Sequence, residues 1–307
     1  MTELDAGDLV PPEGGRGRRP VWQPLIGLVG LAGLAVAAAG SIDDVREQEL
    51  PGAPALVAAL GLHMIALMFA GRAWVALFPP DADRRQLTRG LYTSQLAKYL
   101  PAGGVLQAAG QVAMSGQDGK FGGAALRLPV FSLCLIAGGA TLGSGLVFAT
   151  DLPGWARGLA ALGLLAPLLL DRRILATVLR LLRRRVRRLP GPSSLPPQRS
   201  IIHAYLFGLG NLTAYGAAFA VLLINVTDVN PFVTGAALCA AWVVGYLVVP
   251  LPSGMGVREA VLVAALPSLT TGALLAASVA HRVLGILAEA ALAGTAQWRA
   301  RRDRSSR

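Results

Sequence analysis

Charge is scarce in this 307-residue chain: 15% of its residues are Asp, Glu, Lys or Arg, 54% are hydrophobic, and mean hydropathy is +0.55. A soluble domain carries about a quarter charged residues, so the composition excludes an ordinary water-soluble fold. Cysteine is nearly absent. Cys134 and Cys239 sit far apart inside apolar runs without ligand spacing, which gives no redox or metal signal and leaves two buried thiols. No Ser-His-acid arrangement, phosphate loop or metal-ligand spacing is present, so neither a catalytic site, a metal nor a cofactor is expected. His203 and His281 stand near span ends and are expected to be hydrogen-bonded packing residues, while His63 has no visible partner.

The net charge of +11 is concentrated, with nine arginines within residues 172–199 and five within 299–307. No aromatic residues interleave with these basic runs, so nucleic acid is not the expected partner. Basic clusters at the ends of apolar blocks instead mark the cytoplasmic side of a membrane protein. A hydrocarbon core of about 30 Å needs roughly 20 helical residues. Blocks of that length predict full spans over 22–40, 52–78, 125–150, 154–170, 200–225 and 270–297. The polar residues 1–21 and the basic residues 299–307 are then disordered or cytoplasmic tails, and both termini lie inside.

Two more apolar stretches are interrupted. "LYTSQLAKYLPAGGVLQAAGQVAM" (91–114) breaks at Pro101, Gly103 and Gly104, and the stretch 231–268 breaks at "PLPSGMGVREA", around Pro252, Gly254 and Gly256. Proline removes a backbone donor and glycine permits tight turns. In lipid such breaks survive only where protein or a watery cavity surrounds them. Opposed re-entrant hairpins satisfy the topology, and so do eight full crossings. The two breaks share a Leu-Pro-small-Gly pattern, as paired broken segments of an inverted repeat do. The expected fold is therefore an all-α polytopic bundle of about six full spans plus two broken segments, in halves 22–170 and 200–298.

Ionisable residues inside a membrane are costly and count as functional candidates. A helix restarting at Val257 would place Glu259 with the helix dipole and Arg258 against it. Lys98, with Tyr99 and Gln107, flanks the first break, where it either snorkels to the surface or faces a cavity beside a helix N-terminus. Arg282, Gly285 and Glu289 share one stripe of the last span. Arg282 and Glu289 stand about 10 Å apart along the axis, too far for a direct pair. The expected cross-helix pairs are Glu259 with Arg282 and Arg258 with Glu289. Gly139 and Gly143 form a small-residue face for close packing.

The linker 171–199 holds a predicted amphipathic helix over 172–189. Leu175, Val178, Leu182, Val186 and Leu189 form its apolar stripe, and Arg173, Arg180, Arg184 and Arg187 its basic one. Such a helix either contacts an anionic inner leaflet or serves as a solvated topology anchor.

"SQLAKYLPAGG", then "LPSGMGVREAVL" and a charged "HRVLGILAE", resembles the lysylphosphatidylglycerol synthase transmembrane family of flippase-type domains over roughly residues 22–298. Lys98, Pro101, Gly103, Pro252, Gly254, Gly256, Arg258 and Glu259 occupy the matching motif positions. The resemblance implies a bundle with re-entrant segments that moves, or acts on, charged lipids between leaflets. No aminoacyl-transfer domain follows residue 298, so synthesis of an aminoacylated lipid is not expected of this chain. The resulting expectation is a non-enzymatic translocase in the inner membrane. Its partners would be anionic lipids, phosphate-bearing and either aminoacylated or polyprenyl-linked. Lys98, Arg258 and Arg282 would hold the phosphate, and Glu259 and Glu289 would balance charge. A non-transporting scaffold for envelope lipid-synthesis enzymes and an intramembrane lipid-modifying enzyme are the alternatives.

Overall fold

A computed structural model describes residues 51–99, 103–115, 121–186, 189–224, 229–247 and 256–305. Among them there are ten α-helices and no strand. The helices are α1 (Ala53–Ala76), α2 (Arg84–Gln95), α3 (Gly103–Ser115), α4 (Phe121–Gly143) and α5 (Gly154–Ala161). They continue with α6 (Arg172–Arg185), α7 (Gln198–Leu223), α8 (Pro231–Leu247), α9 (Val257–Ala265) and α10 (Thr271–Ser305). Four helical stretches are long and apolar enough to cross a membrane: Ala53–Ala76, Ala124–Phe148, Gln198–Leu223 and Thr271–Arg302. These match four of the expected spans. The expected span 22–40, and Pro101, Pro252, Gly254 and Arg187, lie outside the described residues.

The expected span 154–170 takes a different form. Its α-helix stops at Ala161 and a 3₁₀ segment, Leu162–Leu170, carries Pro167 onward. A 3₁₀ helix rises about 2.0 Å per residue against 1.5 Å for an α-helix, so the segment reaches about 30 Å despite its short count. The stretched end lies flat against α4. A Cβ built on Gly163 would fall 2.1 Å from the Ala140 carbonyl oxygen. We expect Gly163→Ala to cost about 1–3 kcal/mol through forced overpacking. Gly158, one turn into α5, has open space around it, and Gly158→Ala should be neutral or stabilising. Comparing the two variants by thermal unfolding in detergent tests the packing.

Both broken stretches form two helices. In the first, α2 runs into a 3₁₀ turn (Leu96–Tyr99) and α3 packs back on it. In the second, α9 packs back on α8. The described chain re-enters helix at Val257, as the sequence predicts, through Gly256 at φ 82°. That left-handed backbone disfavours any residue with a Cβ.

The small-residue face of α4 meets α8: Cβ atoms on Gly139 and Gly143 would contact Val243 and Ala240. α1 packs along α7, and α10 crosses both. The apolar core divides into two clusters. One includes Ala59, Phe219, Leu238, Leu262 and Leu274, the other Trp74, Leu87, Leu91, Phe131 and Ile201. Along α1 they are separated by the stretch that holds His63.

Two expectations need correction. α6 ends at Arg185, and it buries Leu175 and Leu179 against the second cluster, whereas Val178, Leu182 and Val186 of the expected stripe are exposed with Ile174 and Leu181. Apolar residues occupy two adjoining faces of this helix, and periodicity alone does not say which one meets protein. Arg173, Arg180 and Arg184 are exposed. The last helix also runs on to Ser305, through residues assigned to a tail. Ala, Gln and Arg are good helix formers, and arginines at a helix C-terminus suit its dipole.

Candidate functional site

The buried ionisable residues of the bundle interior, His63, Arg258, Glu259, His281 and Glu289, converge on one stripe of α10. Ser278, His281, Arg282, Gly285 and Glu289 follow one another at intervals of one to four residues on a single face. From Ser278 to Glu289 this stripe is about 16 Å long, half the thickness of a hydrocarbon core.

At its first end stands α9. The two oxygens of Glu259 are divided: Oε2 accepts the Gly256 N–H at 2.8 Å, while Oε1 accepts the Ser278 hydroxyl at 3.0 Å and Arg282 at 2.6 Å. The carboxylate thus closes the open backbone at the start of α9 and pairs with the expected arginine. One orphan N–H of that helix terminus is therefore met by the chain itself.

At the other end Glu289 pairs with Lys98, which sits in the 3₁₀ turn before the first break. Lys98 also donates to Gln95 Oε1 at 3.4 Å, and Gln107 Nε2 reaches the same oxygen at 3.0 Å. Gln107 belongs to α3, so this network spans both helices of the first broken segment. The expected Arg258–Glu289 pair does not form: Lys98 takes that carboxylate. Gly103 and Gly104 open α3, and Tyr99 ends the 3₁₀ turn.

Arg258 is 5% exposed and has no carboxylate partner among the described residues. It donates to the Tyr215 hydroxyl at 2.9 Å, lies 5.2 Å from the Tyr215 ring centroid, and approaches His281 Nδ1 at 3.4 Å. His281 Nε2 faces the Tyr215 carbonyl oxygen at 3.1 Å. A carbonyl can only accept and a guanidinium only donate, so His281 carries its proton on Nε2 and offers Nδ1 to Arg258. The His63 ring packs 4.3 Å from His281 and 5.3 Å, edge-on, from Tyr215. It reaches that position over Gly285, where a Cβ would stand 3.5 Å from the imidazole. Of the five buried side-chain polar atoms without partners among the described residues, three belong to this seam: Arg258 Nε, His63 Nε2 and Glu289 Oε2.

Of the predicted site residues, Lys98, Gln107 and Glu289 form one end of this seam, and Arg258, Glu259 and Arg282 the other. Tyr215, His63, Ser278 and His281 are the members not expected there. Histidine within an apolar span is itself a signal of an intramembrane site. Tyr215, in a run of small residues, carried no such signal. No group of three or more His, Cys, Asp or Glu side chains suited to a metal occurs among the described residues. Four helices long and apolar enough to cross a membrane mark an all-helical membrane protein, and the ionic seam lies between them. The chain matches no protein-family profile and no curated protein.

Proposed function

We propose that this protein is an inner-membrane lipid translocase and that Arg258 is the group that holds a lipid phosphate during transfer. The observation that carries this reading is the difference between Arg258 and the other two cations of the seam. Lys98 and Arg282 each face a carboxylate, whereas Arg258 is held by a phenol, a ring face and an imidazole nitrogen. Neutral partners orient the guanidinium without cancelling its charge. A buried cation in lipid surroundings is costly, and an arriving phosphate would offset that cost through charge-assisted, geometrically matched hydrogen bonds. The paired breaks on either side suit a binding site between two moving elements. The resemblance of the two break motifs to flippase-type domains supports the same reading.

The test is movement of fluorescent phosphatidylglycerol, an aminoacylated lipid and a polyprenyl phosphate in proteoliposomes. The wild type should accelerate at least one of them, and Arg258→Gln should slow it by about ten- to a hundredfold, the loss of a charge-assisted contact worth about 1.5–3 kcal/mol. Arg258→Lys should fall between, since it keeps the charge and loses the fork. Thermal unfolding shows that each variant is folded. A wild type inert toward all three lipids, or a folded Arg258→Gln variant as fast as wild type, would overturn the proposal.

A further inference from the structure

A second cationic arrangement lies outside the seam, where α2 and α10 meet. Gln297 Nε2 of α10 donates to Thr93 Oγ1 of α2 at 3.0 Å. One turn from this bond, Arg89 and Arg301 line a common open crevice of about 210 Å³ together with Met114, Gln297 and Ala300. Neither guanidinium has a hydrogen-bond or ion-pair partner among the described residues. Asp83, the acid closest in sequence to Arg89, has turned its carboxylate to its own helix, accepting the Arg85 and Gln86 N–H groups at 2.9 and 3.1 Å. Two like charges therefore line one small cavity, and no acidic residue lines it among the described residues. Packing holds them there: the Thr93–Gln297 bond fixes α10 on α2, and Gln86 Nε2 donates to the Met114 carbonyl at 3.3 Å, fixing the end of α3.

The depth of the crevice follows from its neighbours. The apolar residues of α10 give way to Thr295, Gln297 and the arginines from Arg299 onward. Trp298, in the same turn, is 59% exposed, with the Arg302 guanidinium 5.6 Å from its ring centroid. An outward tryptophan at the end of a span marks the headgroup level of a membrane. The volume is below the roughly 300 Å³ at which small-molecule pockets begin, which suits a single phosphate group better than a buried nucleotide. Paired guanidiniums match the oxygen geometry of phosphate, and the anion would remove their mutual repulsion.

We infer that Arg89 and Arg301 form an anion site that binds a phosphate oxyanion at the membrane surface, distinct from the seam and independent of any lipid movement there. The phosphate could belong to a lipid headgroup or be free in solution, and the test separates the two sources. The full-length protein in a zwitterionic detergent is titrated with phosphatidylglycerol, with phosphatidylcholine and with inorganic phosphate, and thermal stability is followed. Phosphatidylglycerol should stabilise the wild type, and Arg89→Ala or Arg301→Ala should weaken the apparent affinity about tenfold. Arg299→Ala, which removes a neighbouring charge that does not line the crevice, should leave it unchanged. Stabilisation by the lipid alone assigns a lipid phosphate, and an equal response to inorganic phosphate assigns a soluble one. Arg301 is exposed in the last turns of α10, so its variant keeps the test available should Arg89→Ala not fold. A wild type that neither phosphatidylglycerol nor inorganic phosphate stabilises, or an Arg299→Ala loss as large as the other two, would sink the inference.

Discussion

Glu259→Gln is expected to destabilise the protein by about 3 kcal/mol, because breaking one side of a buried ion pair leaves the other charge uncompensated. The geometry explains why so small a change is severe. Both carboxylate oxygens accept, one from the Gly256 N–H and the other from Ser278 and Arg282. A glutamine has one acceptor oxygen. Either orientation of its amide turns an NH₂ toward a donor, and one of the two sets of bonds is lost. Arg282, with a side chain 24% exposed, then faces no carboxylate. Unfolding in mixed micelles measures the cost for Glu259→Gln, Arg282→Met and the double variant. The cycle should give a coupling energy above about 1.5 kcal/mol, with the double variant more stable than Glu259→Gln alone, since replacing both partners of a buried pair is often neutral. A coupling within the 0–1 kcal/mol of exposed pairs would mean that the pair is ornamental to the fold.

The parts of this arrangement that could be foreseen share one property: their cause is local. Long apolar runs produce α1, α7 and α10 wherever they stand in the chain. The helix restart at Val257 follows from Gly256 before it and Glu259 in its first turn. The Glu259–Arg282 pair could be expected because each residue lacked a partner on its own helix. What depended on packing was hidden. Glu289 had two cations to choose from, and only the position of the first broken segment against α10 gives it Lys98. His63 joins the site because Gly285, on another helix and over 200 residues away, leaves room for its ring. On α6, Leu179 and Leu182 are equally apolar in sequence; one is buried and the other exposed because the second core cluster meets only one side of the helix.

The pairing of Lys98 with Glu289 has a consequence that a charge-reversal experiment can isolate. The two broken segments never need to touch each other to be linked, because each is bound by an ion pair to the same face of α10: the second through Arg282, the first through Glu289. These anchor points are seven residues, about 10 Å, apart on one rigid helix. Lys98→Glu places a second carboxylate against the largely buried Glu289, and Glu289→Lys does the same with two ammonium groups. At an effective dielectric of 20, like charges at contact repel by about 4 kcal/mol, and the favourable pair is lost as well. Each single variant should lose most of its stability, and the first segment should loosen before the rest of the bundle. Hydrogen exchange should therefore rise over residues 84–115 while the α1–α7 pair stays protected. The double variant Lys98→Glu/Glu289→Lys restores opposite charges at the same two positions, so it should regain most of the stability and the protection. Its recovery cannot come from either charge alone, which makes it the decisive arm. A double variant as unstable as the singles, or exchange that rises evenly across all helices, would mean that Lys98 and Glu289 act separately and that the first broken segment is held by its other contacts, the Thr93–Gln297 bond among them.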